Sequence, residues 1–586
     1  MQLTALDWVI VAGSLALSFV PALWMARRAG SSTAEFFTSG RAAPWWLIGV
    51  SMVATTFSTD TPNLVTDLVR QGGIAANWAW WAFLLTGMTT VYFYARLWRR
   101  LGVLTDLEFY ELRYSGAPAK WVRGFRAVYL GVVFNVVIMA SVNLAAAKIA
   151  NVLLGWPIGQ TLLVCGAINV VFAATSGLWG VLVTDFIQFG IAMGGSFAAA
   201  AYALRHPAVG GLDGLFAKID PATLTFVPDF TDWTVALPVF IVPLAVQWWS
   251  TWYPGAEPGG GSYIAQRMLA ARSERDALAG TLVFNVAHYA LRPWPWVLVA
   301  LASILVFPEV ADIRRALPHV DPALVGHDMA YPAMLTFLPS GILGLMVAGL
   351  LSAYVSTIST HLNWGTSYLV HDLYRRFLKP DASERHYVRA GRLVTVALMI
   401  AAGLLTLVLE SARGTFNLLL SIGAGTGLLY LLRWFWWRIN AWSEIAAMAS
   451  SFVLAIGLLV LERNGLAIPS HVSLVVTVAV TTVVWLAATW LTPPTDAATL
   501  RRFYTLARPA GPGWTAVRHA CGGLAPADDI AAAFVAWVAS CVFVYSALFG
   551  VGLHLMGRTA PAALAGLTLL ASGVVMSRSV LRMWSR

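Results

Sequence analysis

Runs of about 20 apolar residues follow one another along most of the chain, and each is long enough to cross the hydrocarbon of a bilayer as a helix. They lie near 6–26, 45–68, 74–98, 124–154, 158–178, 180–204, 234–253, 277–306, 340–371, 391–410, 416–437, 441–461, 470–491, 530–556 and 561–578. The expected fold is an all-α polytopic membrane protein with about fifteen transmembrane helices. Composition agrees: 59% of the 586 residues are hydrophobic, 11% are charged and the mean hydropathy is +0.71, where a soluble chain carries about a quarter charged residues. The first run has no basic leader and no small-residue cleavage site, so it reads as a retained span rather than a signal peptide. Cys165, Cys521 and Cys541 have no metal-ligand spacing and imply no disulfide framework. The net charge of +10 is dispersed between apolar runs and does not form a nucleic-acid-binding face.

Basic residues set the orientation. With the N-terminus outside and the C-terminus in the cytoplasm, most of the 38 Lys and Arg fall on the inner side, among them Arg27, Arg28, Arg96, Arg99, Arg100, Arg375, Arg376, Arg501 and Arg582. The expected location is a bacterial inner membrane. Pro254-Gly-Ala-Glu-Pro-Gly-Gly-Gly261 interrupts the chain after the seventh run, and the Pro- and Arg-rich stretch 493–528 is the longest inner loop. Runs two to six and seven to eleven form two sets of five that begin on opposite sides of the membrane, the arithmetic of an inverted repeat.

Two runs carry polarity that lipid does not tolerate. Between Leu351 and Ser367, the residues Ser352, Ser356, Ser359, Thr360, Asn363 and Ser367 recur every three or four positions, so a helix gathers them into one stripe. Unpaired hydroxyls are costly in hydrocarbon; the stripe faces another helix, a water-filled path or an ion. The second run begins apolar and then reads Ala54-Thr-Thr-Phe-Ser-Thr-Asp-Thr-Pro-Asn63. Pro62 removes a backbone donor and frees carbonyls near Ser58, which leaves either an ordinary kink or a set of hard oxygen ligands. Asp60 beside it, an intramembrane carboxylate, marks a functional site.

The segment Trp45 to Pro62, the run Ser176-Gly-Leu-Trp-Gly-Val-Leu-Val-Thr-Asp-Phe-Ile-Gln188, Gln266-Arg267, Ser356-Thr357 leading to His371-Asp-Leu-Tyr-Arg375, and the leader Glu35-Phe-Phe-Thr-Ser-Gly-Arg41 together resemble the sodium:solute symporter family over about residues 5–490. The resemblance implies a five-plus-five inverted-repeat fold of the leucine-transporter kind. It divides the chain into a leading helix and linker (1–44), a first repeat (45–206), an outer loop (207–233), a second repeat (234–438), two further helices (439–492), a cytoplasmic linker (493–528) and two extra C-terminal helices (529–586). It also implies a sodium site made by the carbonyls of Ala54, Phe57 and Ala353 and the hydroxyls of Ser356 and Thr357, an all-oxygen set suited to a hard cation. Asp185 falls where the family has an acidic residue on the inner sodium path; a helix-start acid favoured by the dipole is the alternative.

Arg292 lies too deep in its run for easy snorkelling, on a helix that lines the substrate site in the family. It either pairs with Asp60 or holds a substrate carboxylate or hydroxyl. His288, one turn earlier, reads more readily as a core histidine than as a proton relay. Trp248, Trp249, Trp252 and Tyr253 stand where the sixth core helix should unwind, as substrate-stacking aromatics or as an interfacial belt. Asp60, Thr61, Trp249, Trp252, Tyr253, Arg292 and His361 make up the expected substrate site. The reading that results is a sodium-coupled importer of a small polar organic solute, a carboxylate or polyhydroxylated compound, with sodium as co-transported ion and no organic cofactor. A solute sensor is the alternative. The chain has no nucleophile–base motif or phosphate-cradling loop that would make it an enzyme.

Overall fold

The computed structural model describes residues 3–24, 31–409, 412–466 and 468–585; Arg27 and Arg28 of the orientation argument lie outside them. Among the described residues the chain is helical, without named strands. Ten helices are long and apolar enough to cross a membrane alone, and Ala5–Pro21, Trp45–Thr55, Ile158–Ala174 and Gly414–Gly423 are shorter apolar helices. This is fewer than the fifteen runs of the sequence because several runs are built from short or broken pieces.

The breaks are local. Trp45–Thr55 ends, Ser58 takes a left-handed backbone (φ 49°), and Asp60–Gly72 begins. Pro62 is therefore not a kink in a continuous helix: it occupies the first turn of the second piece, where its missing N–H leaves nothing unsatisfied. Gly177 (φ 56°) divides Ile158–Ala174 from Gly177–Arg205. The second large break corrects an expectation. Pro254–Gly261 does not follow a span; with Thr251 to Tyr253 it is the unwound middle of one crossing, between a helical stretch ending at Ser250 and the helix Ser262–Ala270. Two crossings are thus discontinuous, a feature typical of transporters built from inverted repeats.

The polar stripe lies inward. Ser352, Ser356, Ser359, Thr360, Asn363 and Ser367 of the helix Ile342–Ser367 are all at most 2% exposed. Stretch 493–528 is not a bare linker. Helices Ala497–Ala507 and Thr515–Ala520 dock under the core, where Phe503, Tyr504 and Trp514 are buried and the Trp514 indole donates to Trp434 O at 2.7 Å. Arg113, fully buried, donates to the carbonyls of Arg433 (3.1 Å) and Trp436 (2.9 Å) and lies over the Trp514 ring.

Ile530–Leu555 packs on the transporter body through Tyr92–Ser540 (2.6 Å), Trp537 to Leu85 O (3.0 Å), Tyr545 to Trp81 O (2.9 Å) and Trp294 to Leu548 O (2.8 Å). Thr559–Ser585 lies outside it and is mostly exposed. Gly552 is the close approach: a Cβ there would stand 2.0 Å from Trp294 Cζ2. Gly552→Val should lower stability by about 1–3 kcal/mol, the usual cost of overpacking, read as an earlier thermal melt in detergent with the helical content unchanged before the transition.

Candidate functional site

Between the two breaks lies a cavity of about 90 Å³. The first broken helix contributes Thr55, Thr56, Ser58, Asp60 and Thr61, and the second contributes Tyr253 and Tyr263. His288, Tyr289 and Arg292 line a third wall, and Thr357 and His361 a fourth. Of the residues expected from sequence to bind solute, Asp60, Thr61, Tyr253, Arg292 and His361 meet here. Trp249 and Trp252 do not: the Trp249 indole turns back to Ala245 O (2.7 Å), and Trp252 is buried edge-on to Phe134. Trp249 belongs to the last helical turn before the break, and Trp252, inside the unwound stretch, turns its ring away from the cavity.

Arg292 is held by its own helix and by the first break. Its Nη2 donates to His288 Nε2 (2.9 Å), and its Nη1 to Thr56 Oγ1 (3.2 Å) and Val53 O (3.4 Å), while the guanidinium lies 5.2 Å from the Trp296 ring centre. A guanidinium only donates, so His288 Nε2 accepts and Nδ1 carries the proton that reaches Thr56 Oγ1 at 2.9 Å. His288 is therefore a cavity residue that orients Arg292, a role its position one helical turn before that arginine could have suggested. Asp60, half-buried at the start of its half-helix, faces the same cavity, yet among the described residues no ion pair joins it to Arg292. Trp80, Phe83 and Phe416, which sequence reading passed over, supply aromatic walls; Tyr253 stacks on Phe83.

Under the cavity, the end of Trp45–Thr55 meets the polar stripe. The Thr357 hydroxyl lies 2.8 Å from Thr55 O and 3.0 Å from Ala353 O. The chain turns back at once, with Phe57 N donating to Ala54 O at 3.1 Å. Thr357 Oγ1, Thr55 O and Ala353 O thus meet at one junction, next to the turn of Ala54 and Phe57. Ser356, next in sequence to Thr357, aims its hydroxyl at Asp185 Oδ1 (2.6 Å).

Asp185 is not a helix-start acid. It lies within Gly177–Arg205, fully buried, where it accepts from Ser356 and Ser51 and stands 3.8 Å from Arg267 Nη2. Arg267 is equally buried and donates to Ser51 Oγ (3.2 Å), Thr360 Oγ1 (2.7 Å) and Gln266 Oε1 (2.9 Å). Thr360 in turn reaches Thr55 Oγ1 at 3.0 Å. Four helices are joined by this one polar cluster, and Arg267 is the member that sequence reading left without a role.

Residues 36–452 match the sodium:solute symporter family. The chain belongs to that family. It is a sodium-coupled symporter and not an enzyme. It is 25% identical over 471 residues to a sodium/glucose cotransporter of Vibrio parahaemolyticus, covering 78% of this chain and 85% of that protein. A sodium/mannose cotransporter of Bos taurus is 26% identical over 422 residues, 68% of each chain. The solved structure of a Na+-coupled sialic acid symporter in a substrate-bound outward-open state superposes with a TM-score of 0.66 at 19% identity, covering 84% of this chain and 99% of that one; it establishes the fold alone. Membership supports transport over the sensor reading.

A buried charge left without its partner costs about 3–5 kcal/mol. Arg267→Gln and Asp185→Asn should each lose stability on that scale, while the double variant should recover more than half of the summed loss, as a coupled pair does. Thermal melts of the four proteins of the cycle, run in sodium-free and sodium-containing detergent, give the comparison.

Proposed function

We propose that this symporter imports a small polar organic solute by alternating access, with sodium bound at the junction of Ala54, Phe57, Ala353, Ser356 and Thr357. The observation that carries the reading is the Thr357 hydroxyl, which ties the carbonyl end of the first broken helix to the stripe helix directly beneath the cavity. A cation bound across that junction favours whichever conformation keeps the two helices together, and so couples its gradient to the solute site. The basic residues favour a bacterial-type inner membrane with the N-terminus outside.

The solute bears a carboxylate or several hydroxyls. Arg292 offers donors pre-set by His288 and Thr56, Asp60 and Thr61 offer acceptors and a hydroxyl, and aromatic rings close the remaining sides. The sugar specificity of the relatives agrees with that chemistry. His361, whose Nδ1 meets Asn135 Oδ1 at 2.7 Å, stands at the floor of the cavity with its ring edge to Tyr263.

Two experiments in proteoliposomes check this reading. Ser356→Ala with Thr357→Ala should raise the sodium concentration for half-maximal uptake about tenfold or more, because each lost hydrogen-bonding ligand is worth on the order of 1 kcal/mol; an unchanged sodium dependence would refute the site. Asp60→Asn with Arg292→Gln should fold and bind sodium yet fail to transport, and Arg292→Lys should fail too where planar, two-pronged recognition matters. Near wild-type sodium-driven uptake by the double variant would mean that the two charges serve only each other.

A further inference from the structure

The unwound stretch Thr251 to Gly261 carries a carboxylate that neither the sodium junction nor the solute cavity uses. Glu257 is 3% exposed. Its Oε1 accepts from Gly255 N (3.1 Å) and from the Ser262 hydroxyl, while its Oε2 is buried with no hydrogen-bond partner. Ser262 serves a second acid with its backbone: its N–H donates to Asp106 Oδ2 at 3.2 Å, and Asp106 Oδ1 accepts from the Tyr368 hydroxyl at 2.5 Å. Asp106 is 8% exposed, on the turn after the third crossing. Gly261 also lies between the two acids: a Cβ at that position would stand 3.6 Å from Glu257 Cβ and 3.9 Å from Asp106 Oδ2.

The surroundings do not neutralise the pair. Among the described residues, no Lys, Arg or His forms an ion pair with Glu257 or Asp106. Tyr263 adjoins Glu257. Arg126 acts on Asp106 from a distance, its guanidinium donating to Tyr430 (2.6 Å). Asp372, one turn beyond Tyr368, is committed to Arg123 (2.7 Å) and Thr105 (2.9 Å). Two adjacent carboxylates out of water cannot both stay ionised without a compensating positive charge. A metal ion is a poor candidate for it: three of the four oxygens already accept hydrogen bonds, and among the described residues no third acidic, His or Cys side chain completes a metal-sized group. One proton on the unpartnered Oε2 meets the requirement.

We propose that Glu257 is a proton-binding site of the transport cycle, loaded in the conformation seen here and exchanging with the cytoplasm past Asp106. Binding forms one O–H bond on a carboxylate and release breaks it; no other bond changes. The exit is short, because Asp106 borders the cytoplasmic cluster of Asp372, Arg123, Glu108 and His371, whose outermost side chains, Glu108 and His371, are 25% and 16% exposed. The stretch also borders the cavity through Tyr253, Pro254, Gly255 and Ala256, so a backbone rearrangement there moves Glu257 relative to Asp106. The proposal rests on the alternating-access reading for its role in transport, but not for the protonation itself.

Infrared spectroscopy of the purified full chain decides the protonation. At neutral pH the wild type should show the carbonyl stretch of a protonated carboxylic acid, and Glu257→Gln should lack it. Asp106→Asn removes the neighbouring negative charge, so the same band should titrate at a lower pH by about 1 unit or more, the scale of one close like charge. No such band in the wild type, its persistence in Glu257→Gln, or an unmoved midpoint in Asp106→Asn overturns the proposal, and Asp106→Asn keeps it testable if Glu257→Gln does not fold. In proteoliposomes with a lumenal pH dye, sodium-driven solute uptake should carry protons in the wild type and none in Glu257→Gln; equal proton movement in both also overturns it. Absence of sodium-driven uptake in every sample would sink the transport reading instead, leaving the infrared result to judge Glu257.

Discussion

Unwinding a helix inside hydrocarbon strands backbone amides and carbonyls that water cannot reach, and each must find a partner within the protein. The fold is arranged around that demand. At the first break Thr357 meets Thr55 O and Arg292 meets Val53 O. At the second, Gly425 N donates to Ser250 O (2.9 Å), Trp252 N to Gly423 O (3.0 Å) and the Trp98 indole to Gly259 O (2.8 Å). The second break is thus satisfied by a third one, between the helices Ala412–Gly423 and Gly427–Leu432. Glycine at 423 is what permits the approach, since a Cβ there would stand 2.2 Å from Trp252 O.

The buried charges divide by the same criterion. Asp185 and Arg267 are surrounded by hydroxyls that complete their hydrogen bonds, and their cluster holds helices together. Asp60 and Arg292 line the same cavity without an ion pair between them among the described residues, and Arg292 is oriented by Thr56 and His288.

Much of this was legible in the sequence. Runs of spanning length give the crossings, and the three- and four-residue recurrence of hydroxyls in Ser352–Ser367 gives a stripe that is indeed turned inward. Asp60, Arg292 and Tyr253 stand out as polar or aromatic residues at membrane depth beside Pro or Gly, and they line one cavity. What misled was register. A Trp-rich approach to an unwound segment gives no sign of where the last helical turn ends or which way each ring turns beyond it, so Trp249 and Trp252 look alike with Tyr253, and Pro254–Gly261 reads as a loop after a span because its helical continuation, Ser262–Ala270, is only nine residues long. The roles of Arg267 and His288 are not legible in the sequence for a different reason. Arg267 acts through Ser51 and Thr360, both more than 80 residues away in sequence, which no local pattern encodes; His288 acts through Arg292, one helical turn away, and a lone histidine on an apolar helix does not by itself announce that contact.

The C-terminal helix Ile530–Leu555 has a mechanical consequence. On one side it is bonded to Trp81, Leu85 and Tyr92, on the other to Trp294, where Gly552 lets the indole lie against its backbone. The two crossings that contain those residues, 78–101 and 274–306, are thereby clamped into one unit from the lipid side. Drawing those two crossings apart would break either the bond to Trp294 or the three bonds to Trp81, Leu85 and Tyr92, so a helix at the edge of the fold ties together two that wall the cavity.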